Sequence, residues 1–199
     1  MTKYIELSIK LLDIQPEITR TFVVPDFITL DRLHDVLQII MGWEGRHLYA
    51  FEFKNGQVYS EPFEDDSSDH LHAGEVRLSE LVKRRGTVFI YNYDFGDDWW
   101  HELKVLDMNI KEYHGQSIMA LSGSRACPPE DVGGIWGYNE FCEALKKPRS
   151  QQYREKMEWL GYKYDPEAFD INKVNGKLAY YILWTRPRLL PWIDIVKED

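Results

Sequence analysis

Between Tyr91 and Leu103 the chain reads YNYDFGDDWWHEL, a stretch that sets Asp94, Asp97, Asp98, His101 and Glu102 close together. Carboxylates and an imidazole are the groups that ligate a divalent metal ion, and these five residues are candidate metal ligands on that ground. The same types work without a metal, since a histidine oriented by an aspartate is a general base, which makes Asp94 and His101 candidate catalytic residues. The zincin motif is excluded: HExxH requires a second histidine where Val105 stands. A second constellation is ACPPEDVGG, Ala126 to Gly134. Its prolines stiffen the backbone and its glycines permit positive φ or close approach, so Cys127, Glu130 and Asp131 are held in a defined place. Cys127 would be a nucleophile if paired with His101 or His114. A structural reading competes with each. Asp94 and His101 can be buried groups bonded to nearby backbone, and Cys127 a small buried side chain. Glu130 or Asp131 can cap the following helix. His34, His47, His70 and His72 say less, the last two lying in an acidic loop.

Positioning these groups falls to elements that the hydrophobic pattern marks out. KYIELSIKL, residues 3–11, alternates apolar and polar side chains as a half-buried strand does, and ITRTFVV, 18–24, reads as its partner across a turn at Gln15-Pro16. In TLDRLHDVLQIIMGW, Leu30, Leu33, Leu37, Ile40 and Met41 repeat at helical spacing, with Thr29 as N-cap and Gly42 as terminator. Asn55-Gly56 between two β-rich runs signals a hairpin. EPFEDDSSDHLHAGE is aperiodic and acidic, hence an exposed loop, and VRLSELVKRRG makes a short helix. TVFIYNYDF and WWHELKVLDM flank Gly96-Asp97-Asp98 as a second hairpin. Alternation puts Phe89, Tyr91, Tyr93 and Phe95 on one of its faces, and His101 on a largely apolar one. SIMALSG is a further strand. Helices follow over 137–146, over SQQYREKMEWLG with Ser150 as N-cap, and after YDPEAFD, where the helix is short. Strands and helices are segregated rather than alternating. The expected fold is α+β: a mainly antiparallel sheet of hairpins, one amphipathic helix after the first hairpin, and a helical C-terminal part. Residues 1–180 are expected as a single domain and 181–199 as a C-terminal tail or arm.

Composition narrows the function classes. The chain has 199 residues, 44% of them hydrophobic and 14% aromatic, enough for a sizeable core. Its formal net charge of −9 opposes a broad phosphate-binding surface, so nucleic acid is not expected as a main ligand. The basic runs Lys83-Arg84-Arg85 and Lys146 to Lys156 read as solvated helix ends. Two cysteines, Cys127 and Cys142, make neither a CxxC site nor a disulfide scaffold. No window approaches the ~20 apolar residues of a membrane span, and no signal peptide is visible. The expected location is the cytoplasm.

The motifs YDFGDDWWHEL, GSRACPPEDVGGIWGY and YDPEAFDINKVN, in this order, resemble the plasmid pRiA ORF-three-like family, whose members are also labelled as TnpR-family passenger proteins of insertion elements. The resemblance covers Tyr4 to Leu178. Its signature falls on Tyr93, Asp94, Phe95, Gly96, Asp97, Trp99 and His101, then on Cys127 to Asp131, Gly133, Gly134, Gly137 and Tyr138, then on Asp165, Pro166, Phe169 and Asp170; Trp100 departs from it. The resemblance implies an α+β domain linked to plasmids and mobile elements. A serine resolvase needs a nucleophilic serine among arginines and a basic helix-turn-helix. Ser8 lies between Leu7 and Ile9, and the C-terminal helices are aromatic, so resolvase activity is rejected.

Two functions stand on this sequence. The first is an accessory or protein-interaction module, because an exposed acidic loop and many aromatics suit contact with a protein partner. The second is a metal-assisted hydrolase or nucleotide-processing enzyme, with its site between the 94–102 hairpin and the 127–131 loop. The enzyme requires the acids and His101 to converge on one pocket, whereas the module requires them dispersed or bonded inward.

Overall fold

Strand β1, Tyr4–Leu11, turns Ile5, Leu7, Ile9 and Leu11 to the core and its polar residues outward. The computed structural model describes residues 3–61, 69–111 and 118–195 of the chain. β1 pairs antiparallel with β2, Thr19–Pro25, the expected first hairpin. Helix α1, Leu30–Met41, follows and lies on the core face of the sheet. Leu30, Leu33, Val36, Leu37 and Ile40 are essentially buried. At about 2 kcal/mol per buried aliphatic side chain, that stripe outweighs a cap worth ~1 kcal/mol. Accordingly Thr29 has cap backbone geometry but its hydroxyl donates to the Asp31 carboxylate rather than accepting from a helix N–H, while Gly42 ends the helix in the left-handed conformation.

The Asn-Gly hairpin forms between β3, Tyr49–Glu52, and β4, Val58–Ser60. A two-residue strand, β5 (Leu71–His72), adds parallel to β4, which the sequence pattern did not indicate. Helix α2, Leu78–Leu81, is short as expected. Strands β6, Val88–Tyr93, and β7, Trp99–Ile110, make the second hairpin, and β8, Met119–Ser124, is the strand read from SIMALSG. The sheet has the order β5-β4-β3-β6-β7-β1-β2-β8 and is antiparallel except at β4–β5. This is the α+β class, with α1 over one face.

Three helices close the chain: α3, Gly134–Leu145; α4, Gln151–Leu160; and α5, Ile171–Ile195. Ser150 caps α4 through the Tyr153 N–H, and Gly161 ends it. Pro187 and Pro191, each without an N–H for the helical ladder, suggest an earlier stop, yet α5 runs through both to Ile195 rather than ending short. It packs on α1, where the Tyr181 hydroxyl donates to Asp35 (2.8 Å) and accepts from Arg32 (3.3 Å). It also guards the edge of the sheet. The Asn175 amide accepts from Ala120 N–H (2.8 Å) and donates to Ala120 O (3.0 Å), standing in for a further strand on β8. Among the described residues no helix is long and apolar enough to cross a membrane.

Candidate functional site

Antiparallel pairing brings the start of β3 beside the end of β6, with Tyr49 opposite Tyr93. The loop from α1 to β3, residues 42–48, therefore meets the hairpin turn that begins at Asp94. The third side of the site is the ACPPED loop, and the bonds that hold it there are specific. Trp43 Nε1–H donates to Pro128 O (3.0 Å). Glu130 Oε1 accepts from the Glu44 N–H (2.7 Å) and from the Tyr93 hydroxyl (3.0 Å), which itself accepts from the Arg46 N–H (3.2 Å). From the hairpin, Asp97 Oδ2 accepts from the Gly133 N–H (3.1 Å), and Gly134 lets the Asp97 carbonyl approach to 2.6 Å of where a Cβ would stand.

This clasp gathers three carboxylates around one imidazole. His47 Nδ1 lies 3.7 Å from Asp94 Oδ1, and Nε2 lies 3.8 Å from Glu130 Oε2 and 3.1 Å from Asp131 Oδ1. The Asp131 contact is out of line for a hydrogen bond, so the buried Nε2 has no hydrogen-bond partner among the described residues. Asp94 and Asp131 both take left-handed backbone, φ 57° and 56°, which aspartate tolerates better than most side chains. Asp94 also closes its own turn by accepting from the Gly96 N–H (3.0 Å). Its side chain is only 8% exposed, whereas Asp131 is 59% exposed, so the cluster runs from the protein interior to solvent. For all three acids His47 is the sole ionic partner among the described residues within 4 Å. Burial first, and the Glu130 carboxylate second, raise the Tyr93 phenol above its ordinary range, so it serves as a donor to Glu130.

Of the residues singled out by sequence, Asp94, Glu130 and Asp131 come together. The others do not join them. His101 is fully buried, bonded through Nδ1 to Tyr91 O (3.1 Å), with Trp43 edge-on at 5.1 Å between ring centroids. Burial pushes its pKa down to about 4, which keeps it neutral in the core, and its Nε2 has no hydrogen-bond partner among the described residues. Asp97 ties the hairpin to Gly133, and Asp98 Oδ1 accepts from the Asn92 amide (2.9 Å). Glu102 stands opposite Lys10 and Ile90 in the sheet, with its side chain on the face away from His101. Phe95, expected on one face with Phe89, Tyr91 and Tyr93, lies beyond the end of β6 and is 48% exposed, while those three are buried. Cys127 is buried, and burial raises its thiol to about 12 despite the nearby Arg20, so it carries little thiolate at neutral pH. His114, its other conceivable base, lies outside the described residues. Sequence reasoning passed over His47. The available signal was its place in GWEGRHL, a polar turn directly after the glycine that ends α1.

The ligand atoms of His47, Asp94 and Asp131 all lie within 4.8 Å of one another. At ion–ligand distances of ~2.1 Å a tetrahedral ion would draw its ligands to about 3.4 Å of one another, so the three groups would close by up to about 1.4 Å. One imidazole with carboxylates is a mixed nitrogen and oxygen set suited to Mn²⁺ or Zn²⁺. The negative charge on three acids, answered among the described residues within 4 Å by no Lys or Arg, also favours a divalent ion. These residues fit such a group.

Fold and site together define an α+β protein with a histidine–carboxylate cluster where a hairpin turn and two loops meet. The chain belongs to the family of plasmid pRiA4b ORF-3-like proteins, whose pattern matches residues 3–173. The resemblance seen in the sequence motifs is thus established. A relative from Sinorhizobium fredii, uncharacterized protein y4hQ, is 39% identical over 173 residues, covering 86% of this chain and 88% of its own. A crystal structure of MM3350 from Methanosarcina mazei Go1, titled as a protein of unknown function, is similar with a TM-score of 0.77. It is 30% identical and covers 86% of this chain and 97% of its own.

Proposed function

We propose that this protein binds one divalent metal ion through His47, Asp94 and Asp131 and carries out metal-assisted hydrolysis there. The observation that supports this reading is the convergence of those three ligand atoms around a buried, unpartnered imidazole nitrogen. When bound, the ion lowers the pKa of a water molecule toward neutrality and polarises an ester or phosphoryl oxygen. The chain's own residues do the rest. Asp94, buried and fixed by its turn, holds its Oδ1 3.7 Å from His47 Nδ1. Glu130 has Oε1 engaged by the Glu44 N–H and Tyr93, and Oε2, which Tyr93 reaches more weakly at 3.3 Å, faces His47, so it is placed to accept a proton. Asp131 lies open to solvent, where a substrate would enter.

Calorimetric titration with Mn²⁺ and Zn²⁺ tests the reading. The expected result is one ion per chain, with His47→Ala and Asp131→Asn each weakening binding by at least the ~10–100-fold that follows loss of an outer-sphere partner alone. Asp98→Asn, whose carboxylate is engaged elsewhere, should bind as the native protein does. Native-like affinity in His47→Ala would remove the proposal.

A second reading, an accessory protein-contact module linked to plasmids or mobile elements, rests on two exposed rings beside the same turn. Trp136 is 88% exposed and Phe95 48%. Nucleic acid as main ligand finds little support, since Lys146 pairs with Glu143 and Lys156 with Glu140. The two free thiols, Cys127 and Cys142, support a reducing, cytoplasmic setting.

A further inference from the structure

Glu130 and Asp131 face two ways. Besides meeting His47, they line a groove of about 600 Å³ that runs between the end of α1, the ACPPED loop and helices α4 and α5. That volume suits a small molecule rather than a polymer. The groove is lined by the acids Glu44, Glu130, Asp131 and Asp170 as well as by cations; Arg46 pairs with Glu44, but Arg20, Lys173 and Lys177 make no ion pair among the described residues. Arg20 lines it at 2% exposure. Its guanidinium donates only to backbone carbonyls, those of Thr19, Ile40, Ser124 and Arg125, and has no carboxylate partner among the described residues. It is held over the Phe169 ring, 4.2 Å from the centroid, and Gly123 makes room: a Cβ there would stand 2.6 Å from Phe169 and 2.7 Å from Arg20. A buried charge without a counter-ion is expensive to keep, and here its field falls on a groove. Lys173 and Lys177, one turn apart on α5, line the same wall and make no ion pair among the described residues. The groove also offers flat apolar surface, because Trp159 and Tyr162 line it at 50% and 58% exposure.

We infer that the groove binds a nucleotide, with its phosphates between the His47–Asp94–Asp131 centre and the Arg20, Lys173 and Lys177 side, and its base against Trp159 and Tyr162. The inference rests on the metal reading above and names the substrate class for that site. A phosphate chain supplies an anion that Arg20, Lys173 and Lys177 can face and the oxygens that a divalent ion takes. A purine or pyrimidine ring supplies a face to stack on the exposed indole and phenol. The protein's overall negative charge opposes long polyanions, which again favours a small ligand.

The test is equilibrium binding of ATP, pyrophosphate and adenosine to the full chain, with Mn²⁺ and separately in EDTA. ATP with Mn²⁺ should bind at least about tenfold more tightly than pyrophosphate or adenosine, since charge and stacking each contribute over ~1.4 kcal/mol. The double variant Lys173→Glu/Lys177→Glu should lose at least about tenfold of ATP affinity while its Mn²⁺ titration stays native. Trp159→Ala should weaken ATP but not pyrophosphate. Equal affinity for ATP and pyrophosphate, or an unchanged double variant, overturns the nucleotide assignment. Mn²⁺ binding without ATP binding overturns it and leaves the metal reading standing. Absence of Mn²⁺ binding removes the metal reading instead, and ATP binding in EDTA then decides the groove by itself: absence of it there overturns the inference.

Discussion

Gly137→Ala destabilises the protein by about 3 kcal/mol or more, the upper end of what overpacking costs, whereas Gly176→Ala stabilises it by up to ~1 kcal/mol. Both glycines lie in helices, and propensity alone would favour alanine at each. The difference is the surroundings. A Cβ on Gly137 would stand 2.0 Å from the Val132 carbonyl oxygen and 2.8 Å from its carbon, and the obstacle is backbone. Val132 is buried, and the chain between the two passes through Gly133 and Gly134, both at positive φ, so the loop has little room to give. The same loop presents Glu130 and Asp131, so the substitution should also weaken Mn²⁺ binding. A Cβ on Gly176 meets nothing within 4 Å. Urea denaturation of both variants checks this. Equal midpoints would contradict the packing account.

Stability falls as pH drops below about 6.5, and two buried histidines steepen the fall. Burial lowers His101 to about 4 and His34 to about 3 from an ordinary 6.5. Above 6.5 both are neutral whether folded or unfolded, and they add no pH dependence. Below it the unfolded chain binds protons that the native core refuses. Stability is then lost at up to ~1.4 kcal/mol per pH unit for each histidine, until the native values are reached. Between pH 6.5 and 4.5 His101 alone accounts for about 2 kcal/mol. Neither ring can gain a partner cheaply: His101 sits at 0% exposure with Trp43 edge-on, and His34 stacks on Tyr49 at 3.8 Å and bonds the Tyr91 hydroxyl (2.7 Å). Other groups also protonate in this range, so the informative quantity is a difference. Urea melts at pH 7.5 and 4.5 should show a loss smaller by about 2.5 kcal/mol in His101→Gln than in the native chain. An identical loss would mean that His101 is not the acid-sensitive group.

Local patterns carried most of the fold. Alternation in KYIELSIKL, the stripe of α1 and the Asn-Gly turn each depend on neighbours a few residues away, and each element formed where its pattern lay. Strand β5 had no such pattern, being two exposed residues paired parallel to β4. The site was legible by halves. Asp94, Glu130 and Asp131 stood out because unusual turn residues surround them, and strand alternation correctly sent His101 to an apolar face. What sequence could not supply was the partner. Asp94 and His101 share a hairpin, so nearness in sequence paired them. In space the left-handed turn at Asp94 points it to His47, while His101 points into the core against Trp43. His47 is far from Asp94 and Asp131 along the chain; the β3–β6 pairing brings it to Asp94, and the bonds of the ACPPED loop to Trp43, Glu44 and Tyr93 bring Asp131.

The central claim is that His47, Asp94 and Asp131 share one metal ion. Anomalous scattering from crystals soaked in Mn²⁺ locates the ion directly. The account predicts one strong peak bonded to His47 Nε2 and to an oxygen of each aspartate, at distances of ~2.1 Å. A peak at another set of ligands, or none at concentrations that saturate the calorimetric titration, would contradict it.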